Sequence, residues 1–182
     1  MAWISGNRYL TLSEMQNNVD LLHYYFKAQG WTDNAIAGML GNMQSESTIN
    51  PGIWEGLAEY LGGYGLVQWT PYTKYSEWAG SGWENNGPKE MERIIYELNN
   101  GLQWISTTKY QMTFREFSES LLAPSYLAQA WLYNYERPAN LNQPIRSTRA
   151  NYWYKYITGQ TPPTPGTEVP IWLLFKIAKG GK

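Results

Sequence analysis

Helix-start signals recur along this chain so closely that little room is left for an extended sheet. Thr11-Leu-Ser-Glu14 and Thr113-Phe-Arg-Glu116 are capping boxes: the threonine hydroxyl accepts a bond from the backbone three residues on, and the glutamate returns one. Ser13-Glu-Met-Gln16 overlaps the first box. Behind it Met15, Val19, Leu22 and Phe26 recur at helical spacing, so a helix is predicted over 13–29, closed by Gly30. Thr32 or Asp33 caps the next segment, whose apolar face is Ala35, Ile36, Met39, Leu40 and Met43. It runs to Ser45-Glu46-Ser47 and is bounded by Asn50-Pro51-Gly52.

The second half repeats the pattern. A short helix is predicted over 72–79. Pro88 opens another that Asn99-Asn100-Gly101 stops, and Thr113 caps one carrying Phe114, Phe117 and Leu121. Pro124 starts a helix through Leu132, ended before Pro138, and Pro144 begins a last one through Tyr156. Only 53–69 departs from this, with Gly56, Gly62, Gly63 and Gly65 among aromatic and aliphatic residues, which predicts a small irregular hairpin or wing. The expected fold class is mainly α with a small β wing (α+β). Residues 1–158 read as one domain, 159–170 as a Pro/Gly/Thr-rich spacer, and 171–182 as a short apolar and basic tail. The tail is expected to pack back on the domain, with docking at a membrane interface as the functional alternative.

Composition removes whole classes of chemistry. Fourteen Lys plus Arg against fifteen Asp plus Glu give a formal charge of -1, so no broad field draws the chain to nucleic acid. There is no cysteine and one histidine, His23, which excludes disulfide frameworks, zinc fingers, His-rich metal sites and thiol nucleophiles. His23 itself falls near the apolar stripe of the first helix and reads as a boundary residue. Residues 1–8 lack the apolar run of a signal peptide, and no apolar run approaches the ~20 residues that span a bilayer. Ten Trp, 15 Tyr and 4 Phe make 16% of a chain whose mean hydropathy is -0.51, a balance suited to flat uncharged ligands such as sugar rings.

Among the carboxylates Glu46 stands out by position. At the C-terminal end of a predicted helix, beside apolar residues, the charged form of a glutamate is disfavoured, which is what a general acid requires. A glutamate at a helix end is equally an ordinary surface residue, so local physics alone does not assign it.

The wider segment does more. Gly38-Met-Leu-Gly-Asn-Met-Gln-Ser-Glu-Ser-Thr-Ile-Asn-Pro-Gly52 resembles the active-site segment of phage tail lysozymes, the peptidoglycan-degrading domains at the tail tips of short-tailed phages of Gram-positive bacteria. Tyr64-Gly-Leu-Val-Gln-Trp-Thr-Pro71 is similar to that family's second block and Tyr135-Glu-Arg-Pro-Ala-Asn140 to its third. Tyr9-Leu-Thr and Gly30-Trp-Thr fit as well, so the resemblance covers residues 8 to 157. More distantly, Glu46-Ser47, Gly65-Leu-Val-Gln68 and Tyr133-Asn134 are similar in order to three blocks of soluble lytic transglycosylases and goose-type lysozymes.

The resemblance implies a lysozyme-like, two-lobed fold with a central substrate cleft and the 53–69 wing on one wall. It implies Glu46 as catalytic acid, Ser47 as a supporting residue beside it, and Gln68 as a polar residue of the cleft wall. Tyr133 and Asn134 carry over as substrate-binding residues, although the block here lacks the glycine common after it in transglycosylases. The implied function is a cell-wall muramidase of the virion tail that needs no metal or cofactor. Its partners would be peptidoglycan strands and other tail proteins. A lytic transglycosylase, and a glycan-binding tail module without activity, are the alternatives.

Glycosidases commonly pair two carboxylates. Glu55 and Glu59, in the wing, are candidates to activate water, or else solvated loop residues; Glu136 in Glu-Arg-Pro reads as structural, paired with an arginine. Trp54, Tyr60, Tyr64 and Trp69 are expected to line the cleft and stack on sugars, whereas Trp131, Tyr152, Trp153 and Tyr156 lie at helical spacing and are assigned to the core.

Overall fold

The computed structural model describes residues 2–160 and is mainly helical. Most of the predicted spacer and all of the predicted tail lie outside the described residues. Thr11 caps α1 (Leu12–Ala28) with both bonds of the capping box formed, and Thr32 caps α2 (Asp33–Ser47). α3 (Thr73–Ala79) and α4 (Gly87–Asn100) follow, the latter with Pro88 in its first turn and Gly101 as its left-handed cap. The second capping box opens α5 (Phe114–Ser118). This helix is shorter than expected: Leu121 lies beyond it and is 78% exposed, because the chain turns away after Ser118 toward Pro124. α6 (Pro124–Trp131) and α7 (Ile145–Ile157) complete the set.

α2 is the centre of the molecule. Every residue from Ala35 to Gln44 is buried, so the helix has no solvent face between its first and last turns. It packs against α1, α5, α6 and α7. Close approach to α7 requires glycine: a Cβ on Gly41 would lie 2.4 Å from the Arg146 carbonyl oxygen and 2.8 Å from the Ala150 amide. The α2–α7 contact is therefore nearly backbone to backbone, and it fixes where side chains from the ends of both helices meet.

The 53–69 segment forms no strand. Two isolated antiparallel bridges, Trp54 to Tyr64 and Tyr64 to Trp69, and a 3₁₀ turn at Glu55–Leu57 are its only regular features. Its order comes from elsewhere. Gly65 (φ 78°) rests on Glu90 of α4, where a Cβ would sit 2.5 Å from a carboxylate oxygen, and the Leu66 amide donates to Glu90 Oε2 at 2.7 Å. Trp54, Tyr64, Tyr72, Tyr75 and Trp83 then pack ring on ring behind it.

Trp131 and Trp153 are fully buried, as their spacing predicts; Tyr152 and Tyr156 pack against the same core from its edge. His23 lies at the boundary, within 2.8 Å of Asp33. No helix among the described residues is long and apolar enough to cross a membrane.

Candidate active site

α2 ends abruptly just past Glu46. Thr48 (φ 52°) and Ile49 (φ 56°) both take the left-handed conformation, which costs β-branched residues about 1–3 kcal/mol each. Buried contacts hold them there: the Leu10 amide donates to Thr48 Oγ1 at 3.0 Å, and Asn18 Nδ2 donates to the Ile49 carbonyl at 2.9 Å. Ser47 is fully buried, its hydroxyl within reach of both the Met43 carbonyl (2.9 Å) and the Leu66 carbonyl (2.8 Å). It ties the end of α2 to the wing from behind, and is shut off from any substrate. Glu46 remains 22% exposed on the open side.

Glu46 does not stand alone. Arg146, at the start of α7 and 5% exposed, places Nη2 2.5 Å from Glu46 Oε1. The same guanidinium donates from Nη1 to Asn42 Oδ1 and from Nε to Gln143 Oε1, so it is held in a buried frame built from α2 and α7. Fork-like donation of this kind fixes both partners geometrically.

A second carboxylate, Glu136, feels the charge of this pair. After α6 the chain widens into a π turn, Leu132–Glu136, closed by Arg137 in the left-handed region (φ 50°). Glu136 is partly buried and accepts from Trp131 Nε1 at 2.7 Å. Burial and the neighbouring Glu46 carboxylate push its pKa up to about 8, against the opposing influence of Arg146, the Trp131 bond and Arg137.

Glu136 also borders a cavity of about 220 Å³, walled on one side by Val67, Gln68 and Trp69 of the wing and on the other by Gln103, Tyr135 and Arg137. Gln68 borders it. Its amide donates to the carbonyls of Ile53 and Gly65, and its backbone is left-handed (φ 52°). Beneath the floor lies Glu97 of α4, 1% exposed, whose carboxylate accepts from Trp69 Nε1 (2.9 Å), Arg93 Nε (2.9 Å) and Tyr135 Oη (2.5 Å). One buried carboxylate thus ties both walls together.

The other predicted site residues fall elsewhere. Tyr64 is 1% exposed within the aromatic cluster, its hydroxyl accepting from the Asn85 amide, so it packs where sugar stacking was expected. Trp54 is 4% exposed for the same reason, and Trp69, 3% exposed, borders the cavity. Tyr60 is exposed. Asn134 is fully buried, accepting from the Thr107 amide and hydroxyl and donating to the Tyr110 carbonyl; it holds a loop in place and cannot reach a ligand. Tyr133 is partly exposed, its ring beneath Lys109, and borders a separate hollow of about 370 Å³ near Gln129 and Gln143. Glu55 and Glu59 are exposed; Glu55 accepts from the Gly63 amide and braces the wing, and neither borders the cavity.

The sequence does not single out Arg146, and Glu136 reads there as structural. Nothing local marks Arg146, since its role depends on α7 crossing α2. Glu136 carried a signal in its place within the third block, but only the π turn shows which way it faces.

Two comparisons bear on this arrangement. Residues 17–157 match the phage tail lysozyme family. The chain is also 49% identical over 164 residues, 86% of its length, to Morphogenesis protein 1 of Bacillus phage B103, and spans 43% of that relative. With the match running from α1 to the last residue of α7, this chain belongs to the phage tail lysozyme family.

Proposed function

We propose that this domain cleaves the β-1,4 bond between N-acetylmuramic acid and N-acetylglucosamine in peptidoglycan, with Glu46 as general acid. In this reading the glycan lies in a central cleft between two helical lobes, across the Gln68 cavity. Glu46 protonates the glycosidic oxygen, the bonding pair leaves with that oxygen, and water attacks the positively charged sugar. The observation that carries the reading is the Glu46–Arg146 pair at the partly exposed end of a helix buried along its middle. Glu136, which feels the charge of both, stands at the edge of a polar cavity. Family membership supports glycan cleavage, and the similarity to a phage morphogenesis protein supports a virion location, with action on the outer wall and other tail proteins as neighbours.

Glu46→Gln assayed on purified cell walls is the direct test. Loss of about 10²–10⁴-fold in fragment release is expected for removal of a general acid; wild-type turnover in the folded variant would remove Glu46 from the role. Product mass then settles the reaction class, since attack by the sugar's own hydroxyl gives an anhydro end lighter by one water than the hydrolysed end. Binding of glycan without fragment release by the unmodified protein would leave a tail module with no catalysis.

A further inference from the structure

Arg146 meets Glu46 through one nitrogen and one oxygen. Nη2 lies 2.5 Å from Oε1, and Oε2 makes no hydrogen bond among the described residues. The contact is incomplete, because a guanidinium can grip both oxygens of a carboxylate at once, either through Nε and Nη2 or through Nη1 and Nη2. Neutral amides occupy the nitrogen that each grip would add. Nε carries a single hydrogen, which Gln143 Oε1 accepts at 2.8 Å, and Nη1 donates to Asn42 Oδ1 at 3.0 Å.

The two amides are fixed in their turn. Gln143 is 9% exposed and donates from Nε2 to the Asn140 carbonyl at 2.7 Å; Asn42 is fully buried and donates from Nδ2 to the Gly38 and Ala128 carbonyls at 3.0 and 2.9 Å. Carbonyls only accept, so in each amide the oxygen is the end that faces Arg146. Neither amide brings a charge. Glu46 has no second ion-pair partner among the described residues. Glu136, followed by Arg137, feels its charge from the π turn, and Arg149, one turn further along α7, donates from Nη1 to Ser45 Oγ at 2.7 Å.

We propose that Gln143 and Asn42 are positioning residues that hold Arg146 to one oxygen of Glu46 and leave Oε2 to carry the proton given to the substrate; this rests on Glu46 being the proton donor. The proton on Oε2 passes to the glycosidic oxygen, which keeps the electron pair of the broken C–O bond and leaves as a hydroxyl. Arg146 already rests on Oε1, so the negative charge left on Glu46 is met without any movement. Water then forms the new C–O bond at the anomeric carbon and gives up one proton, and Oε2 is protonated again. A two-oxygen grip would favour the ionised carboxylate and leave the acid without its proton at neutral pH.

Gln143→Met tests this in the full chain, because it keeps the length of the side chain and removes the acceptor, which releases Nε toward Oε2. Wall lysis is measured against pH, with thermal unfolding alongside. The alkaline limb is expected to move down by about one pH unit, a loss of roughly tenfold at about pH 7 that shrinks toward about pH 5. Arg146→Lys separates positioning from a merely structural role. An ammonium has one nitrogen and no fork, so adding Gln143→Met to Arg146→Lys should leave the limb where Arg146→Lys alone puts it. An unmoved limb in Gln143→Met, or the same downward move in both backgrounds, overturns the proposal.

Nitrogen-labelled NMR of the arginine side chains in the unmodified protein gives a reading that needs no variant to fold. The Arg146 Nε resonance should stay nearly constant while the Glu46 carboxylate titrates, since Gln143 holds it; an Nε resonance that follows Glu46 shows a two-nitrogen grip and overturns the proposal. The two readings fail separately. A fully active Glu46→Gln sinks the general-acid assignment, whereas an inactive Glu46→Gln with an unmoved Gln143→Met limb sinks only the positioning role.

Discussion

Arg146 Nη2 lies 2.5 Å from Glu46 Oε1, so the carboxylate that ends α2 meets a cation delivered from a hundred residues further along the chain. The pair exists because Gly41 lets α7 settle directly on α2. Charge placement at the site is thus a product of helix packing.

Replacing Arg146 with Met keeps much of the side-chain volume but removes the cation from a nearly closed frame. Asn42, Gln143 and Glu46 each lose a donor. We expect a loss of about 3 kcal/mol, the lower end for breaking a buried ion pair because Glu46 is partly hydrated. Chemical denaturation should show a lower midpoint at unchanged slope.

Gly41→Ala should act at the same place from the other helix. The added methyl meets the Arg146 carbonyl and the Ala150 amide, so α7 must move outward. Overpacking of this kind costs about 1–3 kcal/mol, and wall lysis should fall by more than the stability change alone explains. Lysis measured well below the unfolding transition separates the two effects; full activity there would show that the Arg146 position tolerates the shift.

Glu97→Gln should loosen the cavity floor. An amide offers one acceptor where three donors now converge, and Arg93 is left without its counter-charge. Destabilisation of about 3–5 kcal/mol is expected. Trp69 fluorescence should report the loss of its indole partner, although ten tryptophans make single-site labelling necessary.

Glu90 makes the protein sensitive to alkali. It is fully buried, accepts only the Leu66 amide, and its Oε1 has no hydrogen-bond partner among the described residues, so burial raises its pKa well above the usual range. The folded state therefore holds a proton that the unfolded chain releases at about pH 4.3. The stability this provides is complete below that pH and declines as pH rises toward and through the folded-state value. Glu90→Gln, which keeps the acceptor for Leu66, should flatten the decline in unfolding midpoints between about pH 5 and pH 9. An unchanged slope would show that Glu90 does not titrate with folding.

Helix positions were legible because the signals that start and stop them are local: Thr11, Thr32, Thr113, Pro88 and Gly101 each act within one turn of themselves. Glu46 stands out for a similar reason, since it lies at the end of a helix inside a block of residues like those of a known family. The wing was misread in part. Its glycines and aromatics suggest a hairpin with rings facing a cleft, but Trp54 and Tyr64 find Tyr72, Tyr75 and Trp83, which lie beyond the segment itself. Arg146 and Glu136 depend on contacts across the chain and on a π turn, neither of which leaves a periodic trace.

The enclosure of α2 has a practical consequence. Between its first turn and Ser45 the helix has no solvent-facing position at which the glycan that is accepted could be varied. Under the proposed function, retargeting would have to come from the segments around 63–70 and 133–143, which can be exchanged while Glu46 stays anchored. The same enclosure makes lytic activity a gauge of core packing: any softening around Ala35 to Gln44 reaches Glu46 as misalignment before helical content is lost.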